Sequence, residues 1–149
     1  MIERAADLWT VPADFRVITT NGSIRHDGKA VMGRGCAKEA ALKFPRLPRL
    51  LGGMLEASGN RVYFFEDRVL VAPFGLFTFP VKHTWHARAD LDLIAQSVEQ
   101  FGRQLLRSAT YVMPRPGCGN GQRTWSEVRP IVAALPDNVI VVHFAGAEP

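Results

Sequence analysis

The segment VMPRPGCGNGQRTW, residues 112–125, places Gly117, Gly119 and Gly121 at alternate positions directly after an apolar, strand-like start. An ordinary turn needs one glycine, because one left-handed position suffices. Three in quick succession let backbone N–H groups converge on a point and let a ligand reach the main chain without meeting Cβ atoms. The guest that suits such a loop is an anion. Thr124 and Glu127 then have the spacing of a capping box ahead of Val128, Ile131, Val132 and Leu135. Strand, glycine loop and helix N-terminus in that order make a phosphate seat. A second cluster, TTNGSIRHDGKAVMGRG (19–35), also leaves a strand and reaches a helix through Gly33 and Gly35. Two such loops predict one extended phosphate group held from both sides. GCGNGQRT lacks the lysine of the nucleotide-triphosphate loop and the dinucleotide fingerprint is not met, which argues against an ATPase and an ordinary NAD dehydrogenase. His83 and His86 in HTWH, with Cys36 and Cys118, are zinc-type donors, but no paired-cysteine knuckle accompanies them. Neither a metal nor a resident cofactor is expected.

These loops need elements to hold them. The 149 residues, 47% hydrophobic, suit one globular domain over 1–149. FRVITT (15–20) reads as a buried strand, and 31–45 as a loop passing into a helix that Pro45 ends. A shorter helix is predicted over PRLLGGMLEAS, and two strands at RVYFF and VLVAPF joined by the acidic turn EDR. Leu91, Ile94, Val98, Phe101 and Leu105 recur at helical spacing within 89–108. TYVMP is then a strand, TWSEVRPIVAAL a helix and NVIVVHF the last strand. Alternating strands and helices argue for a central, largely parallel or mixed sheet with helices on both faces, which binds ligands at the strands' carboxyl ends. No apolar run reaches membrane-spanning length, and MIERAADLW carries acids where a secretory leader needs a basic start, so a cytoplasmic protein with reduced thiols is expected. A net charge of +4 favours anionic partners, from free nucleotides to nucleic acid.

With ADLW near the start, VITTNG…AVMGRGCAKEAALKFP, FPVKHTW and MPRPGCGNG…TWSEVRPI in order, the chain resembles the macrodomains over nearly its whole length. The resemblance is to the branch holding the terminal ADP-ribose protein glycohydrolase and the DNA ADP-ribosyl glycohydrolase antitoxins. It implies a three-layer α/β/α sandwich with a mixed, mostly parallel sheet, working as a monomer with ADP-ribose as ligand or product. It matches Asp7 to the adenine-recognising aspartate, with Leu8 beside it, and Asn21, after Thr20, to the asparagine near the distal ribose. Met32, Gly33 and Gly35 match the first phosphate loop; Pro114, Gly117, Cys118, Gly119, Asn120 and Gly121 match the second. Phe144 is the candidate to stack on adenine, and Lys82 falls where the branch places a lysine tied to cleavage of the ADP-ribosyl link. A lysine attacks the anomeric carbon when burial leaves some of its amine neutral. The branch's acid–base aspartate is replaced by Gly121, which leaves Asp27 or His83 to move the proton. Removal of ADP-ribose from protein or DNA, plain binding of ADP-ribose, and hydrolysis of ADP-ribose 1''-phosphate are the activities implied.

Overall fold

The computed structural model describes residues 1–144 and Gly146. The strands are β1 (Ile2–Ala5), β2 (Phe15–Asn21), β3 (Tyr63–Phe65), β4 (Gly75–Lys82), β5 (Tyr111–Pro114) and β6 (Val139–His143). The helices are α1 (Gly35–Lys43), α2 (Leu47–Ser58), α3 (Asp67–Leu70), α4 (Leu91–Gly102) and α5 (Trp125–Val132). One sheet takes all six strands in the order β1-β6-β5-β2-β4-β3, with β3 antiparallel to β4 and every other pair parallel.

Side chains alternate across a strand, so each strand feeds two cores. Val17, Phe77, Phe79, Tyr111, Met113, Val139 and Val141 pack under α4 and α5, through Ile94, Val98, Phe101, Val128 and Val132. Ile18, Leu76, Val112, Ile140 and Val142 face the other way, onto Ala40 of α1, Leu47, Leu51 and Leu55 of α2 and Leu70 of α3. The result is a three-layer α/β/α sandwich around a mixed, mostly parallel sheet. Among the described residues, no helix is long and apolar enough to cross a membrane.

Three elements differ from the sequence reading. VLVAPF is not a strand: Asp67–Leu70 is helical, and Val71 at φ 57 turns the chain into the left-handed region, where no extended ladder continues. The strand comes next, at Gly75–Lys82, buried at every residue except the last. A strand covered on both faces reads as a continuous apolar run, not as alternation. β1 is an exposed edge strand paired to β6, with Ile2 opposite Ile140 and Ala5 opposite His143. The third difference is α4, which stops at Gly102, short of the periodic pattern.

The chain leaves β2 toward β3 and β4 on one side and returns through β5 and β6 on the other. β2 and β5 are neighbours at that reversal, yet they pair only at Phe15–Tyr111 and Arg16–Val112. Beyond those residues the two strands part toward Asn21 and Pro114. A crevice therefore opens outside their carboxyl ends, the usual ligand site of such sheets.

Candidate functional site

The crevice is a cavity of about 550 Å³, within the range of small-molecule sites. It is lined by Asp7, Leu8, Thr20, Asn21, Met32, Gly33, Gly35, Lys82, Pro114, residues 117–121 and Phe144. Asp27 and His83 are not among its lining residues.

The two glycine loops meet over the cavity. Gly35 opens α1, and a Cβ built on it would lie 3.1 Å from the Asn120 amide nitrogen of the second loop. Gly119 has φ 86 and a Cβ there would meet nothing, so its backbone faces open space. Gly33 is equally open but lies outside the left-handed region. Asn21 braces the first loop from below: its amide donates to Val31 O (3.1 Å) and its Oδ1 accepts from Ser23 N (2.9 Å). Cys36 and Cys118 are free thiols raised by burial, Cys118 to about 11, so neither offers a thiolate near neutral pH. Arg34, Lys82 and Arg115 line the same cavity as Asp7 and Glu39, which leaves its charge on balance positive.

Gly121 is held by a close approach. A Cβ at this position would come 2.3 Å from Gly117 O and 2.7 Å from Gly117 C, both backbone atoms of the same loop. No aspartate fits there in this loop conformation. Gly121→Asp is expected to lower the melting temperature and to weaken ligand binding, without gaining activity, because the loop must open to admit the side chain. A thermal melt and an activity assay check this; a Gly121→Asp protein as stable as the parent and more active would contradict it.

At the other flank, β4 delivers Lys82. Thr20 pairs with Pro80 but Asn21 pairs with Lys82, so one residue of β4 is left over and the strand bends where it reaches the cavity. The Lys82 amine lies 3.4 Å from Trp85 O. Burial, and then the Arg34 charge, hold its pKa below the ordinary lysine value. Trp85 is 56% exposed at the rim, its backbone N–H donating to Ser23 Oγ at 2.9 Å. The two proton-transfer candidates are occupied elsewhere. Asp27 is exposed and accepts from Lys29 N (3.1 Å) within its own turn, with Arg25 at 3.7 Å. His83 pairs with Asp90 at 2.7 Å, and Asp90 in turn caps α4 by accepting from Asp92 N. Among the described residues, no group of three His, Cys, Asp or Glu side chains is placed to hold a metal.

Asp7 sits where β1 ends and a tight turn begins. Its Oδ1 accepts from Trp9 N at 2.7 Å, and its carbonyl from Thr10 N and Val11 N. Phe144, just past β6, is 82% exposed and lines the same end of the cavity. Thus Asp7 and Phe144 stand at one end, Lys82 and Trp85 at the other, with the glycine loops between.

The chain is similar to the macrodomain of Thermus aquaticus DarG, with a TM-score of 0.78, 23% identity, and coverage of 99% of this chain and 97% of that one. The chain has the macrodomain fold. The macrodomain of Mycobacterium tuberculosis DarG is similar at a TM-score of 0.74 and 20% identity, with 97% of each chain covered. Thermosipho africanus DarTG in complex with ADP-ribose is similar at a TM-score of 0.77 and 18% identity; the match covers 96% of this chain and 41% of that protein. No protein-family model matches the sequence, and no curated protein does. On this macrodomain fold Arg34 and Arg115 join the cavity without having been singled out in the sequence. Arg34 stands between Gly33 and Gly35 and Arg115 two residues before Gly117, and an arginine beside such glycines is itself a signal for an anion.

Proposed function

We propose that the chain binds ADP-ribose across the β2–β5 crevice and hydrolyses an ADP-ribosyl linkage on modified protein or DNA at the Lys82 end. The observation that carries this reading is the order of groups along one cavity. An acceptor carboxylate and an exposed aromatic ring suit adenine, two meeting glycine loops suit a pyrophosphate, and an amine with a depressed pKa suits an anomeric carbon. The ADP-ribose held by the similar Thermosipho protein supports the ligand. A second reading, a binding module without chemistry, is favoured by Gly121, whose backbone contacts leave no room for the branch's aspartate.

Calorimetric titration with ADP-ribose tests the binding. Asp7→Asn keeps an acceptor for Trp9 N–H, hence the turn, but presents a donor where adenine needs an acceptor. The substitution is expected to weaken ADP-ribose by roughly 1–3 kcal/mol. Equal affinity in parent and Asp7→Asn would remove Asp7 from the adenine site; no heat in the parent at millimolar ligand would end the ADP-ribose reading.

A further inference from the structure

Arg16 is a buried cation that the site described so far does not use. It lies on β2 in the last pair that joins β2 to β5, at the base of the crevice, and is 6% exposed. Burying a guanidinium costs several kcal/mol unless it is hydrogen-bonded and neutralised nearby. Here its Nη2 donates to Val11 O (2.5 Å) and Trp9 O (3.2 Å), and its Nη1 reaches Ala13 O at 3.5 Å. The Phe74 ring lies 4.5 Å from the guanidinium carbon. All three carbonyls belong to the segment that follows Asp7, and Asp7 is the negative charge that acts on Arg16, offsetting part of its burial.

From this geometry we propose that Arg16 is a positioning residue for adenine recognition: one planar fork gathers the 9–13 backbone from below and so fixes the turn that presents Asp7. This rests on the ADP-ribose reading above. Leu8 and Val11 are buried and the Trp9 ring packs against Phe44 and Phe74, so the apolar side of the turn is held by packing, while its polar side rests on the fork and a few hydrogen bonds. Asp7 itself is exposed, and the bonds within the turn are the Oδ1–Trp9 contact and two long ones of 3.3 Å from Thr10 and Val11 to the Asp7 carbonyl. Without the fork, Asp7 keeps its chemistry and loses its address. Base selectivity should then fall more than affinity for the rest of the ligand, because the pyrophosphate is held by loops on other elements. Lysine cannot substitute: its ammonium is a point donor and does not span carbonyls separated along a turn.

The test is calorimetry with two ligands, ADP-ribose and its analogue bearing unsubstituted purine, which lacks the exocyclic amine. The parent is expected to prefer ADP-ribose by about tenfold or more, the size of one charge-assisted hydrogen bond. In Arg16→Lys that preference is expected to shrink to within about threefold, with most of the loss on ADP-ribose. Arg16→Gln, which keeps a neutral two-donor group, serves as the second variant, and thermal melts identify which variants are folded. A damaged fold would lower both affinities together and leave their ratio unchanged; that result in a folded variant overturns the proposal. Equal affinity of the parent for both ligands overturns it too while leaving ADP-ribose binding intact, and a parent that binds neither overturns both readings.

Discussion

Gly33→Val is expected to leave the protein folded and to weaken ADP-ribose at least about a hundredfold, near 3 kcal/mol. Gly33 is exposed on the first loop and lines the cavity, and a Cβ there meets no protein atom within 4 Å. Its φ is outside the left-handed region, so valine meets no left-handed penalty there. The branched side chain therefore occupies space that only the ligand would otherwise use. Gly119 is the less clean site, since φ 86 would strain any side chain and mix a folding defect with a binding one. A thermal melt and a calorimetric titration of the same Gly33→Val preparation decide the matter. Unchanged affinity in a protein that melts like the parent would show that the first loop does not meet the ligand's backbone.

What the sequence shows and what it hides follows from how many residue types a position tolerates. The second glycine loop was legible because its geometry admits little else: Gly121 has a carbonyl where its Cβ would be, and Gly119 lies at φ 86. The start of α5 was legible because Thr124 and Glu127 cap each other, with Glu127 N reaching Thr124 Oγ1 at 3.3 Å and Thr124 N reaching Glu127 Oε2 at 2.8 Å. β4 was hidden because burial on both faces erases the period of two on which strand recognition depends. β1 was hidden for the opposite reason, since an exposed edge strand places little constraint on its side chains. Asp27 and His83 have the right chemistry for proton transfer, but sequence cannot tell that Lys29 N and Asp90 already engage them. Arg16 was hidden because FRVITT, read as a buried strand, names no partner for its one charge, and only the fold shows the carbonyls gathered around it.

Lys82→Ala is expected to abolish release of ADP-ribose from any linkage that the parent cleaves, by about a thousandfold or more, while affinity for free ADP-ribose stays within about threefold. The asymmetry follows from the proposed placement: the lysine stands at the end of β4, while the loops proposed to seat the pyrophosphate lead into α1 and α5. Attack needs the neutral amine, so turnover should rise with pH, and the rising limb should lie below the ordinary lysine value of 10.5 because burial and Arg34 lower the Lys82 pKa. The sign can be tested separately. Arg34→Ala removes one of the two causes, raises the Lys82 pKa and moves the limb toward higher pH, where a purely structural role for Arg34 would leave it in place. Borohydride should trap the Lys82 adduct: the amine displaces the linked group, which leaves with the bonding pair and takes up a proton, and opening of the ribose ring of the resulting glycosylamine gives a reducible imine. Parent-level turnover in Lys82→Ala would remove the lysine from the chemistry. A parent that binds ADP-ribose yet cleaves no protein-, DNA- or phosphate-linked form would instead make the depressed amine a binding group, consistent with a loop whose backbone at Gly121 leaves no room for an aspartate.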